Sequence, residues 1–219
     1  MNASRRYRYY RPAAFLLAIV GVWQIGAGGY IQAKALLAQW LLQSAWTQTL
    51  KEDERVRPWP WADTWPVARL QVDRLGVDQI VLSGDSGRTL AFGPGHRVAS
   101  DHFSFSGNSV LSGHRDTHFR FLRLLDIDDR IRITLPDGQR RIYAVISRDV
   151  VQEDAVWVLD PSQPMLTLIT CYPFDALVSG GTGRFVVRAA PLYSGQEMLA
   201  PAAPPFSDFL FQGDLGRVL

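Results

Sequence analysis

Cysteine is almost missing from this chain. Its 219 residues include one, Cys171, so no internal disulfide can form. A single thiol is compatible with a reducing or an oxidising compartment. Histidine is also scarce, with four in all, and no clustered ligand set for zinc is present. Neither a P-loop nor a dinucleotide glycine fingerprint occurs, so no cofactor and no metal are indicated. The formal net charge of +2 is too small to suggest a nucleic-acid partner. Internal repeats are lacking. What remains is a chain with 47% hydrophobic residues, long enough for one sizeable core.

Its positive charge is unevenly placed. Arg5, Arg6, Arg8 and Arg11 precede an apolar run, Pro12 to Tyr30, whose only strongly polar member is Gln24. At about 1.5 Å per residue this run spans roughly the 30 Å hydrocarbon layer of a bilayer. Tyr9, Tyr10 and Tyr30 fall near the two interfaces, where amphipathic rings are favoured. Only Lys34 follows closely, so the positive-inside rule predicts a cytoplasmic N-terminus. Ala33-Lys34-Ala35 resembles a signal-cleavage site. Against cleavage, the apolar run is longer than the usual h-region, and helix-favouring sequence continues from Ala33 to Leu50. The expectation is a retained anchor, and in either case the rest of the chain lies outside the cytoplasm.

The chain divides into a basic segment 1–11, a transmembrane anchor 12–31, an amphipathic helix and linker 32–58, a β-rich domain 59–192 and a Pro/Ala-rich tail 193–219. In the second helical stretch, Leu36, Leu37, Trp40, Leu41 and Trp46 recur near helical spacing. That stretch continues the anchor, lying on the membrane or on the domain, or it is a plain stalk. A charged run, 51–55, leads into an arm with Trp59, Trp61 and Trp65, three tryptophans expected to fill grooves in the fold. Beyond Val67 the pattern turns to short strands: Ala68 to Val72, Gln79 to Leu82, Ser109 to Leu111, Arg130 to Leu135, Arg141 to Ile146, Leu166 to Thr170 and Phe185 to Ala189. Pro136-Asp137-Gly138-Gln139 is a turn signal, and Phe119 to Leu125 suits a short helix. Short strands at this spacing predict a closed or nearly closed β-barrel. In the tail, Phe206, Phe209, Leu210 and Phe211 are candidates to dock on it.

Three side chains suit thiol chemistry. A lone cysteine is usually buried and inert. Cys171, however, follows an apolar run and precedes Tyr172-Pro173, which predicts a place at a sheet rim. A nearby cation would stabilise its thiolate. His114 ends the run Asn108 to Gly113, and Arg184 begins a strand thirteen residues beyond Cys171. Such a short return can bring Cys171 and Arg184 onto adjacent strands. Arg188 shares the face of Arg184 by two-residue alternation, but Arg184 lies nearer the connecting loop. Asp116, Thr117 and His118 are candidates to orient His114, to touch a substrate or to form a surface turn. His96 and His102 lack a catalytic context.

Thr167-Leu168-Ile169-Thr170-Cys171 resembles the Thr-Leu-x-Thr-Cys signature of the sortases, membrane-anchored cysteine transpeptidases. The likeness extends to Gly107-Asn108 before Gly113-His114 and to Arg184-Phe185-Val186-Val187. The strings Leu90 to His96 and Gly113 to Phe119 are similar to the Gram-negative (class GN, marine proteobacterial) branch. This resemblance covers roughly Trp59 to Pro191. It implies a closed eight-stranded β-barrel with short helices, preceded by a transmembrane helix. It also implies that Cys171 is the nucleophile, His114 the general acid and base, and Arg184 the oxyanion or carbonyl-holding group. Thr170 and Asp116 are then candidate substrate contacts. The implied partners are a secreted protein ending in a Leu-Pro-x-Thr-Gly-like sorting motif, an amine acceptor and the inner membrane, with the catalytic domain periplasmic. No acidic loop cluster matches the calcium site of some sortases, so calcium is not expected. A cysteine peptidase without transfer activity shares these residues, and a membrane-tethered scaffold is the non-enzymatic alternative. The Ser-x-Gly-Cys-x-Arg signature of L,D-transpeptidases is absent around Cys171.

Overall fold

One helix, α1 (Ala3–Glu52), runs unbroken through the apolar run and the amphipathic stretch that continues it. The computed structural model describes residues 3–52, 55–176 and 181–193. The aromatic residues expected to dock from the tail lie outside the described residues. Phe15 to Ile31 leave their large apolar side chains exposed, as a helix does when no protein covers it. Farther along, one face turns inward: Leu42 and Trp46 are buried against Ile80 and Leu82, with Phe92 packed on the same cluster.

The eight strands are β1 (Pro66–Val72), β2 (Val77–Ser83), β3 (Gly95–His96), β4 (Asn108–Ser112), β5 (Arg130–Thr134), β6 (Arg140–Gln152), β7 (Met165–Tyr172) and β8 (Gly183–Leu192). They close into a barrel in the order β1-β2-β3-β4-β7-β8-β6-β5. Pairing is antiparallel except for β2 with β3 and β4 with β7. A short helix, α2 (Gly87–Leu90), and three 3-10 turns at 73–75, 120–124 and 156–159 connect the strands. The turn at 120–124 stands where a short helix was expected.

Alternation gives the core. Leu70 and Val72, Ile131 and Ile133, Leu166 and Leu168, and Val187 and Ala189 point inward from four strands. Phe119, Leu122 and Leu125 plug the interior from the connection after β4. Two glycines let β3 enter the sheet: a Cβ on Gly95 would collide with the Gly84 carbonyl oxygen, and one on Gly93 would lie 2.9 Å from that of Ile80. The Gly93-Pro94-Gly95 string is therefore a close-packing device in this fold.

The structure corrects three expectations. β6 is thirteen residues long and runs well past Ile146, because its second half pairs with β8. β7 continues through Tyr172, so Cys171 lies within the strand and not beyond it. Trp61 fills no groove; it is 82% exposed, while Trp59 packs edge-on against Phe92 and Trp65 packs on the core.

Candidate active site

β7 carries Cys171 between two neighbours, and each brings a candidate partner. On the β8 side, Cys171 stands directly opposite Arg184 in the antiparallel register. Arg188 stands opposite Thr167, four residues down the strand, and turns to Ser147 and Asp149. On the β4 side, the parallel register ends at Ser112 opposite Ile169. Two bonds extend it: Gly113 N–H donates to the Ile169 carbonyl at 3.2 Å, and the Thr170 hydroxyl donates to the Gly113 carbonyl at 2.7 Å. His114 therefore follows at the level of Cys171. The backbone thus sets residues 114, 171 and 184 abreast at one barrel rim.

Local packing fixes the histidine turn. A Cβ on Gly113 would lie 2.6 Å from the ring of the buried Phe119, so only glycine fits there without moving the core. Phe119 N–H closes the turn by donating to the His114 carbonyl at 3.0 Å. Cys171 and Arg184 are half-buried and His114 is exposed, so the rim is open to solvent.

Thr170 does not share the open face. It is 2% exposed and points the other way from Cys171 by strand alternation, bracing β7 to the histidine turn rather than meeting a substrate. Asp116 is exposed, and its carboxylate accepts from Arg115 Nε at 3.1 Å. His118 is half-buried beside His114. Burial lowers its pKa, the neighbouring His114 lowers it further, and a hydrogen bond with the Ala91 backbone partly opposes both.

Two residues of this rim were not singled out by sequence reasoning. Arg115 is only 5% exposed, and its guanidinium donates to the Pro173 carbonyl at 2.6 Å and the Ala176 carbonyl at 3.2 Å. It clamps the residues after Cys171 to the residue after His114. Its place beside His114 in the quoted motif was the available signal. Glu153, just past β6, accepts from Arg184 Nη2 at 2.8 Å, while Arg184 Nη1 donates to the Gly181 and Gly183 carbonyls at 2.5 and 2.9 Å. No sequence signal pointed to Glu153, since only the β6–β8 pairing brings it there.

A cavity of about 480 Å³ opens at the opposite rim, lined by Thr49, Arg55, Trp65, His96, His102 and others. It does not touch the cysteine. Among the described residues, no group of three or more His, Cys, Asp or Glu could hold a metal.

This barrel and rim define a sortase-type domain, and the chain belongs to the sortase family. The family model for the sortase domain matches residues 70–192, more than half of the chain. Sortase D of Bacillus subtilis (strain 168) is 30% identical over 120 residues, which are 54% of this chain and 60% of that protein. The chain therefore matches less than two thirds of that relative's length. Sortase A from Corynebacterium diphtheriae has a similar structure, with 26% identity, a TM-score of 0.53 and 66% of each chain covered. A Clostridium perfringens sortase D5 transpeptidase shares the fold at 22% identity and a TM-score of 0.53, covering 69% of this chain and 89% of its own.

Proposed function

We propose that this protein is a membrane-anchored cysteine transpeptidase that cuts a Leu-Pro-x-Thr-Gly-like sorting motif and passes the acyl group to an amine. The observation that carries the reading is the placement of Cys171, with Arg184 opposite it on β8 and His114 level with it across β4. In this reading the Cys171 thiolate attacks the motif's scissile carbonyl carbon. Negative charge gathers on the carbonyl oxygen, where the Arg184 guanidinium stabilises it more than it stabilised the neutral carbonyl. The C–N bond breaks as His114, acting as an imidazolium, protonates the leaving amine. Neutral His114 then takes a proton from the incoming amine, which displaces the Cys171 thiolate from the thioester and restores the starting imidazolium.

Arg184 enters this scheme already held. Its bonds to Glu153 and to two loop carbonyls set the planar fork in place before substrate arrives, which supports a positioned rather than a searching guanidinium. Asp116, exposed beside His114, is the proposed polar contact for substrate. The helix α1 supplies the anchor: its outer part is long and apolar enough to cross a membrane, with mean hydropathy 1.7 and none of that window buried. The upstream arginines support a cytoplasmic N-terminus and a periplasmic barrel in an inner membrane. Placement in the Gram-negative branch rests on the strings Leu90 to His96 and Gly113 to Phe119.

The test incubates the protein with a sorting peptide and follows the thioester by intact mass. The native chain should gain the acyl mass on Cys171, and added amine should convert the product from acid to amide. Cys171→Ala should abolish both. Cleavage at the native rate by that variant would end the proposal.

A further inference from the structure

The anchor helix meets the barrel in a definite order, and that order orients the active site. The first buried contact along α1 is Ala38, followed by Gln39, whose Nε2 donates to the Phe92 carbonyl at 2.9 Å. Leu42 and Trp46 then pack on Ile80 and Leu82, and Thr49 reaches the cavity shared with Ser83 and His96. The helix thus passes β2 in the direction of β2 itself. β3 runs parallel to β2, β4 antiparallel to β3, and β7 parallel to β4. β4 and β7 consequently run back toward the end where the helix first touches the barrel, and His114 and Cys171 lie at that end. Side-chain contacts trace the same path. Phe92 follows Ala91, whose backbone bonds His118, four residues beyond His114. Gln79 Nε2 also donates to the His118 carbonyl at 2.8 Å.

The outward face of α1 marks a level. With a residue every 100°, Leu36, Leu37 and Trp40 lie on the side opposite the barrel contacts and are 72%, 55% and 65% exposed. Past Trp40 that same side carries Ser44, Thr47, Gln48 and Lys51. The change from apolar to polar falls at Gln39 and Phe92, the height of the catalytic rim. Gln32 and Lys34 are exposed between Ile31 and Leu36, but at 100° per residue they flank this side, which Ala33 occupies, and Gln39 is only about 14 Å along the helix from Tyr30. Trp61, exposed two residues from the Phe92-packed Trp59, adds a second ring near this level.

We propose that α1 is a rigid mount that turns the catalytic mouth toward the bilayer, with Leu36, Leu37 and Trp40 seated in the lipid interface. The partner surface is the membrane itself, because this apolar side resumes at Leu36, little more than one helical turn beyond the span that ends at Ile31. The inference rests on the anchored transpeptidase reading and adds a specificity rule. The protein selects motifs held at a fixed, short height above the membrane, and a motif held far out is missed even when its sequence is right.

Two measurements on the full chain in phosphatidylethanolamine/phosphatidylglycerol vesicles test it. The first does not depend on activity. In a Cys171→Ala background, a fluorophore is placed at Asp116→Cys on the catalytic rim or at Asp137→Cys on the far rim, and energy transfer to a labelled lipid headgroup is read. Transfer should be clearly stronger from position 116; equal or weaker transfer overturns the orientation. The second inserts seven helix-forming residues after Gln32, two turns that lift the barrel by about 10 Å while nearly restoring its facing. Cleavage of a membrane-tethered peptide with a short spacer should fall about tenfold, cleavage of the same motif as a soluble peptide should be unchanged, and a lengthened spacer should restore the tethered rate. An unchanged tethered rate overturns the height rule. A native chain that cleaves neither peptide ends the transpeptidase reading instead, and the energy transfer still decides the orientation.

Discussion

Arg115 carries more of the site's geometry than its neighbours in the motif. A buried guanidinium bonded to two carbonyls is a charge-assisted contact, each such bond contributing about 1.5–3 kcal/mol. Arg115→Ala should lower kcat more than it raises KM, because it frees the loop after Cys171 without removing a group that touches substrate. Arg115→Lys should recover part of the loss, and a variant with native kcat would show the clamp to be idle. Glu153→Gln tests the other missed residue. Without its carboxylate the Arg184 fork loses one of its three holds, so kcat should fall several-fold while Glu153→Asp loses less. Equal rates in all three forms would remove Glu153 from the positioning of Arg184. Cys171, His114 and Arg184 were legible because each ends or begins a recognisable run. Glu153 was not, since an exposed acidic residue in a loop has no local pattern, and its relation to Arg184 exists only across two paired strands. Thr170 belongs to the legible signature, yet its role was misjudged. The motif gives its identity, whereas its direction follows from the pleat and from the parallel pairing with β4.

Among the elements, the strands with clear alternation were the ones the sequence disclosed. β5 and the first half of β6 read as a hairpin because polar and apolar residues alternate about the Pro136 to Gln139 turn. β3 escaped notice because two residues show no periodicity, and its place depends on glycines that admit a carbonyl. The second half of β6 was also missed, since Arg148 and Asp149 interrupt the apolar run and only β8 completes their pairing. For the helix, spacing told that one face was apolar but not which surface it met. Trp46 decides that question: it is 1% exposed in the small cluster with Leu42, Ile80 and Leu82. Trp46→Ala should destabilise the docked helix by about 3–5 kcal/mol, measured by chemical unfolding. Trp46→Phe should cost much less, because the indole Nε1 is buried without a hydrogen-bond partner and its loss breaks no such bond. Equal losses for the two variants would refute this account of the packing.

At the scale of the whole molecule, the buried His96 and the half-buried His118 set a pH limit on the fold. Burial lowers the pKa of His96 and of His118 below the usual value near 6.5. The unfolded chain therefore binds protons that the folded chain resists. The resulting stability is complete above about pH 6.5 and is lost as the pH falls toward the lowered folded values. Melting temperature should drop between pH 7.5 and pH 5, and His96→Gln should flatten part of that drop. A melting temperature that held steady or rose on acidification would contradict the assignment.

The parallel pairing of β4 with β7 has a temporal consequence. No hairpin can make that pair, so its two strands must find each other across a long intervening stretch of chain. The antiparallel return to β8 can set Arg184 opposite Cys171 locally, whereas His114 comes level with the sulfur only when β4 and β7 pair. In the transpeptidase reading proposed above, acyl transfer therefore waits on the closing of one parallel seam, the pairing that sets imidazole and sulfur at the same height.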